Sequence, residues 1–165
     1  MSFNSALHLN LRLTPTVPDD VKNILAGLVE GIAEQFENVP DHPFFRTSGW
    51  ANLLTNENAL FPFPAHSILD RDLNGVLTLF AQTVVDDSLL VDRFLDWIGD
   101  YVVPGIRDRD QAVVGYIHNE RYEQPKFLTV RSRNENLDYV ISEESSPKDK
   151  LSYPIVSMYL SAQVW

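Results

Sequence analysis

The first pattern in the chain is a strict alternation of leucine and polar residues over positions 7–13. A period of two predicts a β-strand with one buried face. The side chains expected on that face are Leu7, Leu9, Leu11 and Leu13. The strand should therefore lie in a sheet that is covered on one side.

A period of three to four follows over positions 21–36 and predicts an amphipathic helix of about 18 residues. Thr16 and Asp19 have the spacing of a capping box at its start. Gly27 and Gly31 lie beside the apolar stripe. Because glycine weakens a helix by about 1 kcal/mol relative to alanine, we expect the two glycines to allow close packing against a strand.

The dipeptide Asn74-Gly75 predicts a two-residue hairpin turn between strands over 67–73 and 76–84. A second amphipathic helix is expected over 86–103, where Pro104-Gly105 stops it. Three further strands are predicted over 111–118, 125–131 and 137–142. The apolar tail over 153–165 fits a strand better than a helix.

The predicted order is β-α-β-β-α-β followed by added strands, which is the order of the ferredoxin-like, split βαβ fold. We therefore expect one α+β domain over residues 1–165, with an antiparallel sheet, two helices on one face and extra C-terminal strands. Residues 38–64 form a Pro- and aromatic-rich insertion. Its aromatic residues either bind a partner, with Trp50, Phe61 and Phe63 as anchors, or fold over the second face of the sheet.

Composition narrows the possible chemistry. The chain has no cysteine, four histidines and a formal net charge of −10. Without cysteine there is no thiol nucleophile, disulfide or thiolate metal site, and a reducing, cytoplasmic location is expected. No secretory signal or run long enough to cross a membrane is evident.

The acidic balance repels phosphate backbones, so direct nucleic-acid binding is not expected. The basic residues near the predicted last hairpin are too few to change this expectation; they are Lys126, Arg131 and Arg133. The same charge either keeps the protein soluble or attracts a protein with a basic surface.

Known catalytic motifs are absent from the sequence. His118 and Glu120 would share one face at a strand end, and together with a distant His42 or His66 they could form a small hydrolase or metal-assisted site. No cluster offers the three or four ligands that a metal site needs, so we predict neither a metal nor a cofactor.

Three aspartates recur every four residues on the second helix: Asp92, Asp96 and Asp100. This spacing predicts one exposed acidic ridge, which is either a solvated helix side or a docking face for a basic partner.

The segment over 115–128 resembles the strand–loop–strand endings of small acidic bacterial proteins, some of immunity type. The leading hypothesis is a non-catalytic, acidic protein-binding domain of bacterial or phage type, such as an immunity-like inhibitor of a basic, nucleic-acid-binding protein. The alternatives are the enzyme that uses His118 and Glu120, and a homo-oligomeric structural subunit that associates with itself.

Overall fold

The computed structural model describes residues 5–57, 64–86, 88–103, 111–119 and 124–131. These residues form a mixed α+β fold with a five-stranded antiparallel sheet and two helices. The elements are β1 (Ser5–Arg12), α1 (Asp19–Glu30), β2 (His66–Arg71), β3 (Leu77–Val85), α2 (Ser88–Ile98), β4 (Gln111–Asn119) and β5 (Lys126–Arg131). The strands predicted over 137–142 and 153–165 lie outside the described residues.

The strands are arranged in the order β2-β3-β1-β4-β5, with β1 in the middle. Both β1 and β2 are antiparallel to β3, so they run in the same direction with β3 between them. Likewise, β3 and β4 run in the same direction on either side of β1. The predicted ferredoxin-like order is not confirmed, since the sheet carries a fifth strand, β5, beside β4.

The predicted buried face of the first strand is confirmed. The leucines at 7, 9, 11 and 13 are at most 1% exposed and belong to one hydrophobic cluster with the apolar sides of α1 and α2. Leu25 and Leu28 of α1 are fully buried in that cluster. Truncating such a leucine to alanine typically costs about 2–5 kcal/mol, so this cluster supplies much of the stability of the fold.

The first helix is shorter than its apolar pattern predicts. It ends at Glu30 because Gly31 adopts a left-handed conformation (φ +73°), and the N–H of Ile32 donates to the carbonyl of Gly27. The predicted capping box is wrong, because Pro18 is the N-cap and no side chain caps the helix. Gly27 packs against the ring of Phe36 rather than against a strand.

The hairpin between β2 and β3 has a longer loop than its Asn-Gly signal predicts. The N–H of Asp72 donates to the carbonyl of Val76 (2.8 Å), which leaves a three-residue loop over 73–75. Gly75 occupies the left-handed position (φ +76°), as expected for a three-residue hairpin loop. The second helix is also shorter than predicted, since it ends at Ile98 and a single 3-10 turn follows over Gly99–Tyr101.

Candidate functional site

The sheet has a second face, which we call the open face. Its residues alternate with the buried leucines, and no described helix packs on it. One residue from each strand forms a row straight across this face. In strand order the row is His66, Gln82, His8, Tyr116 and Phe127.

The rings of this row contact one another and the neighbouring row. His8 stacks on Tyr116 with ring centroids 4.4 Å apart and planes inclined by 19°. Tyr116 meets Phe127 edge to face at 6.5 Å, and His66 meets Phe80 at 6.2 Å. A continuous band of π-surface therefore crosses the sheet from β1 to β5 and has a second, smaller part over β2 and β3.

Burial lowers the pKa of His8 below its ordinary value, and nearby His118 lowers it further. His118 lies on the same face of β4, two residues along from Tyr116, so protonating both histidines would place two like charges close together. The centre of the open face is consequently a poor place for a positive charge.

A glycine makes the contact between β1 and β4 possible. Gly115 pairs with Leu9, and a Cβ atom there would collide with the backbone carbonyl of His8. The β4 strand also has an irregular register between Val113 and Gly115. These features bring β4 close to β1 where His8 and Tyr116 stack.

The predicted acidic ridge is only partly formed. Asp96 and Asp100 are exposed, but Asp92 is half-buried. Because α2 ends at Ile98, Asp100 lies in the following 3-10 turn rather than on the helix. Asp96 is also 3.2 Å from Nε2 of His42, which ties it to the segment before β2.

Trp50 is half-buried and packs edge-on against Phe44 and Phe45, with centroids 5.9 and 5.0 Å away. Phe44 and Phe45 belong to the cluster on the helix side, where Phe44 stacks on Trp97 at 5.6 Å. The described aromatics of this segment therefore fold onto the helix side and not over the open face. Phe61 and Phe63, the other predicted anchors, lie outside the described residues.

The histidines of the enzyme alternative do not meet. His42 contacts α2 on the helix side, whereas His66 and His118 are on the open face of β2 and β4, with β3 and β1 between them. Glu120 lies outside the described residues. Across the described ranges, no three histidine or acidic side chains are grouped closely enough to hold a metal ion.

Charge is distributed unevenly over the surface. Eleven of the described carboxylates are exposed, against three arginines. Each of these arginines is already engaged: Arg12 with Asp72 at 3.0 Å, Arg46 with Asp41, and Arg71 with the carbonyl of Gly75 at 2.7 Å. The exposed acids lie mainly on α1 and in the segment between α1 and β2, with Asp96 on α2 and Asp100 in the turn after it.

Sequence reasoning missed the open-face row. One member of the row could be found from the sequence, because His8 occupies a polar position of the leucine alternation. The other four could not be aligned with it without the strand order. The described part of the chain contains no helix long and apolar enough to cross a membrane. Comparisons with protein-family models, curated proteins and solved structures found no match.

Proposed function

We propose that this protein is a non-catalytic binding domain that recognises a protein with a basic surface, as an immunity-like inhibitor does. The observation that carries the proposal is the unequal exposed charge. The exposed carboxylates far outnumber the exposed arginines, and every described exposed arginine already has an acceptor within the chain. A basic partner would supply the missing counter-charges and would be steered toward the acidic side during encounter.

The proposed docking region is the part of the helix side formed by α2, the 3-10 turn that follows it and the segment between α1 and β2; α1 is not part of it. Asp96 and Asp100 lie there with other exposed acids of the segment between α1 and β2, such as Glu34. His42 holds this segment to α2: its Nδ1 accepts from the N–H of Phe44, and its Nε2 faces Asp96. The acids are thus presented on packed elements, which lowers the entropy lost on binding.

Three finer assignments belong to the same proposal. The β-α-β-β-α-β order, with each helix joining two like-directed strands around a third, favours a split βαβ core to which β5 is added. The absence of cysteine favours a cytoplasmic location. The acidity and the 115–128 segment favour a bacterial or phage protein.

The test begins with capture of basic proteins from an extract of the source cell on immobilised chain. A captured protein counts only when it is purified and forms a stoichiometric complex in solution. We expect the Asp96→Asn/Asp100→Asn variant to associate about three- to tenfold more slowly than wild type at low salt, with a smaller change in dissociation.

The matched control is Asp20→Asn/Glu30→Gln, which removes two exposed charges from α1. A larger effect of the first variant supports docking at Asp96 and Asp100. Equal association rates for wild type and both variants, or the absence of any stoichiometric complex with a basic protein, would overturn the proposal.

A further inference from the structure

We propose that His42 is a proton-operated latch between α2 and the 3-10 turn at Pro43–Arg46. The neutral ring fastens the start of this turn to α2, and the protonated ring releases it. The latch is a property of the chain by itself, so it goes beyond the proposed function and can be tested without a partner.

The His42 ring makes two contacts that require one particular form of histidine. Its Nδ1 accepts a hydrogen bond from the backbone N–H of Phe44 (3.2 Å), so this nitrogen carries no proton. The proton of the neutral ring then lies on Nε2, which is 3.2 Å from Oδ2 of Asp96 and donates to it. The neutral ring with its proton on Nε2 therefore joins the turn to α2.

The start of the turn depends on this ring nitrogen. Backbone N–H groups in a first helical turn have no acceptor within the turn, and His42 is the N-cap that supplies one to Phe44. Asparagine, aspartate and serine oxygens commonly have this role. The side chain of Phe44 is fully buried and stacks on Trp97 at 5.6 Å, so the contact fixes a residue of the hydrophobic cluster.

Protonation breaks one contact and strengthens the other. An imidazolium has an N–H donor on both nitrogens, so Nδ1–H would face the N–H of Phe44 and no acceptor would remain between them. The contact with Asp96 would become an ion pair. The ring is 23% exposed, so water can deliver the proton. Histidine is the side chain that ordinarily changes charge between about pH 8 and pH 5, which makes mild acid the trigger.

The surrounding charges confine the release to the start of the turn. The turn packs mainly against α2 and against the 3-10 turn at Trp50–Asn52, which has no titratable side chain. Arg93 donates to Oγ1 of Thr47 (2.6 Å) and keeps its charge throughout this pH range, so the far end stays attached. The charged groups of α2 and of the segment around the ring are Asp92, Arg93 and Asp96, and Asp41 paired with Arg46.

The latch would regulate the proposed docking region, and this consequence alone rests on the proposed function. In mild acid Asp96 is paired with a cation of its own chain, which lowers its attraction for a basic protein. The start of the turn is also held less firmly, which raises the entropy lost on binding. Docking should therefore weaken in mild acid.

The test is exchange of the Phe44 amide proton with water, measured by NMR on the full chain at about pH 7.5 and 5.5. Protection factors remove the intrinsic effect of pH on exchange. His42→Asn keeps an acceptor at the N-cap but does not titrate, and His42→Ala removes the acceptor. We expect wild-type protection of Phe44 to fall about three- to tenfold in acid, from the level of His42→Asn to the level of His42→Ala.

The internal control is the N–H of Asn52, which donates to a backbone carbonyl, that of Gly49, at 3.1 Å in the next 3-10 turn. Its protection should be the same at both pH values. Wild-type protection of Phe44 that does not fall in acid overturns the proposal, as does an equal fall in His42→Asn or at Asn52. Failure of the latch in this experiment leaves the proposed binding function standing, because no partner is present.

Discussion

At the scale of single residues, the pairing of β4 with β1 depends on glycine at position 115, which has no side chain. Gly115 faces the carbonyl of His8, and backbone atoms cannot move aside as a flexible side chain can. We expect Gly115→Ala to lower the free energy of unfolding by about 2–4 kcal/mol, because β4 must shift away from β1. Urea denaturation monitored by far-UV circular dichroism measures this.

Gly49→Ala is the control for this substitution. Gly49 has a positive φ of 79° but open space around its Cβ position, so alanine there should cost only about 1 kcal/mol of backbone strain. If Gly115→Ala is no more destabilising than Gly49→Ala, the close approach of β4 to β1 is not a constraint on the fold.

At the scale of elements, the β2–β3 hairpin is held by one carboxylate. Oδ1 of Asp72 accepts from the N–H groups of Asn74 and Val76, and its Oδ2 accepts from Arg12. The Val76 N–H is the main cause of the lowered pKa of Asp72, and the contacts with Asn74 and Arg12 add to it. The charged form is therefore the one that stabilises the hairpin.

Asp72→Asn should lower the melting temperature at pH 6, and this difference should shrink in acid. Since the folded pKa is below the unfolded value of about 3.9, the stabilisation is complete above that value and is lost as pH falls through the folded pKa. Thermal melts of both proteins between about pH 6 and 3 test this. The control is Asp100→Asn, and a difference for Asp72→Asn that stays constant across this range would contradict the expectation.

The elements also show what the sequence could predict. Alternation located β1 and helical periodicity located both helices, because burial on one face imposes these periods directly, while the Asn-Gly turn signal located β2 and β3. The helix ends were missed because they depend on single residues: Gly31 stops α1 despite an apolar pattern that continues to Phe36. The hairpin loop was misjudged because Asn-Gly also fits a three-residue loop with glycine in the left-handed position.

At the scale of the whole molecule, the candidate surfaces depend on the arrangement of the elements in space. A local sequence pattern carries no information about that arrangement. The acidic ridge was inferred from helical spacing, but the helix ends before Asp100 and His42 approaches Asp96 from a distant segment. The open-face row needs the strand order before its five members align. Net charge, in contrast, is fully available from the sequence, and the fold adds only its distribution.

That distribution predicts how salt affects the proposed association with a basic partner. Attraction between the exposed acids around Asp96 and Asp100 and a basic surface should weaken as salt screens it. Raising NaCl from about 50 to 500 mM shortens the Debye length from roughly 14 to 4 Å. Association of the wild type should therefore slow as salt rises, and the Asp96→Asn/Asp100→Asn variant should slow less because it has fewer charges to screen. Association kinetics of both proteins with the purified partner at the two salt concentrations measure this effect. Equal salt dependence of the two association rates would mean that Asp96 and Asp100 do not steer the partner.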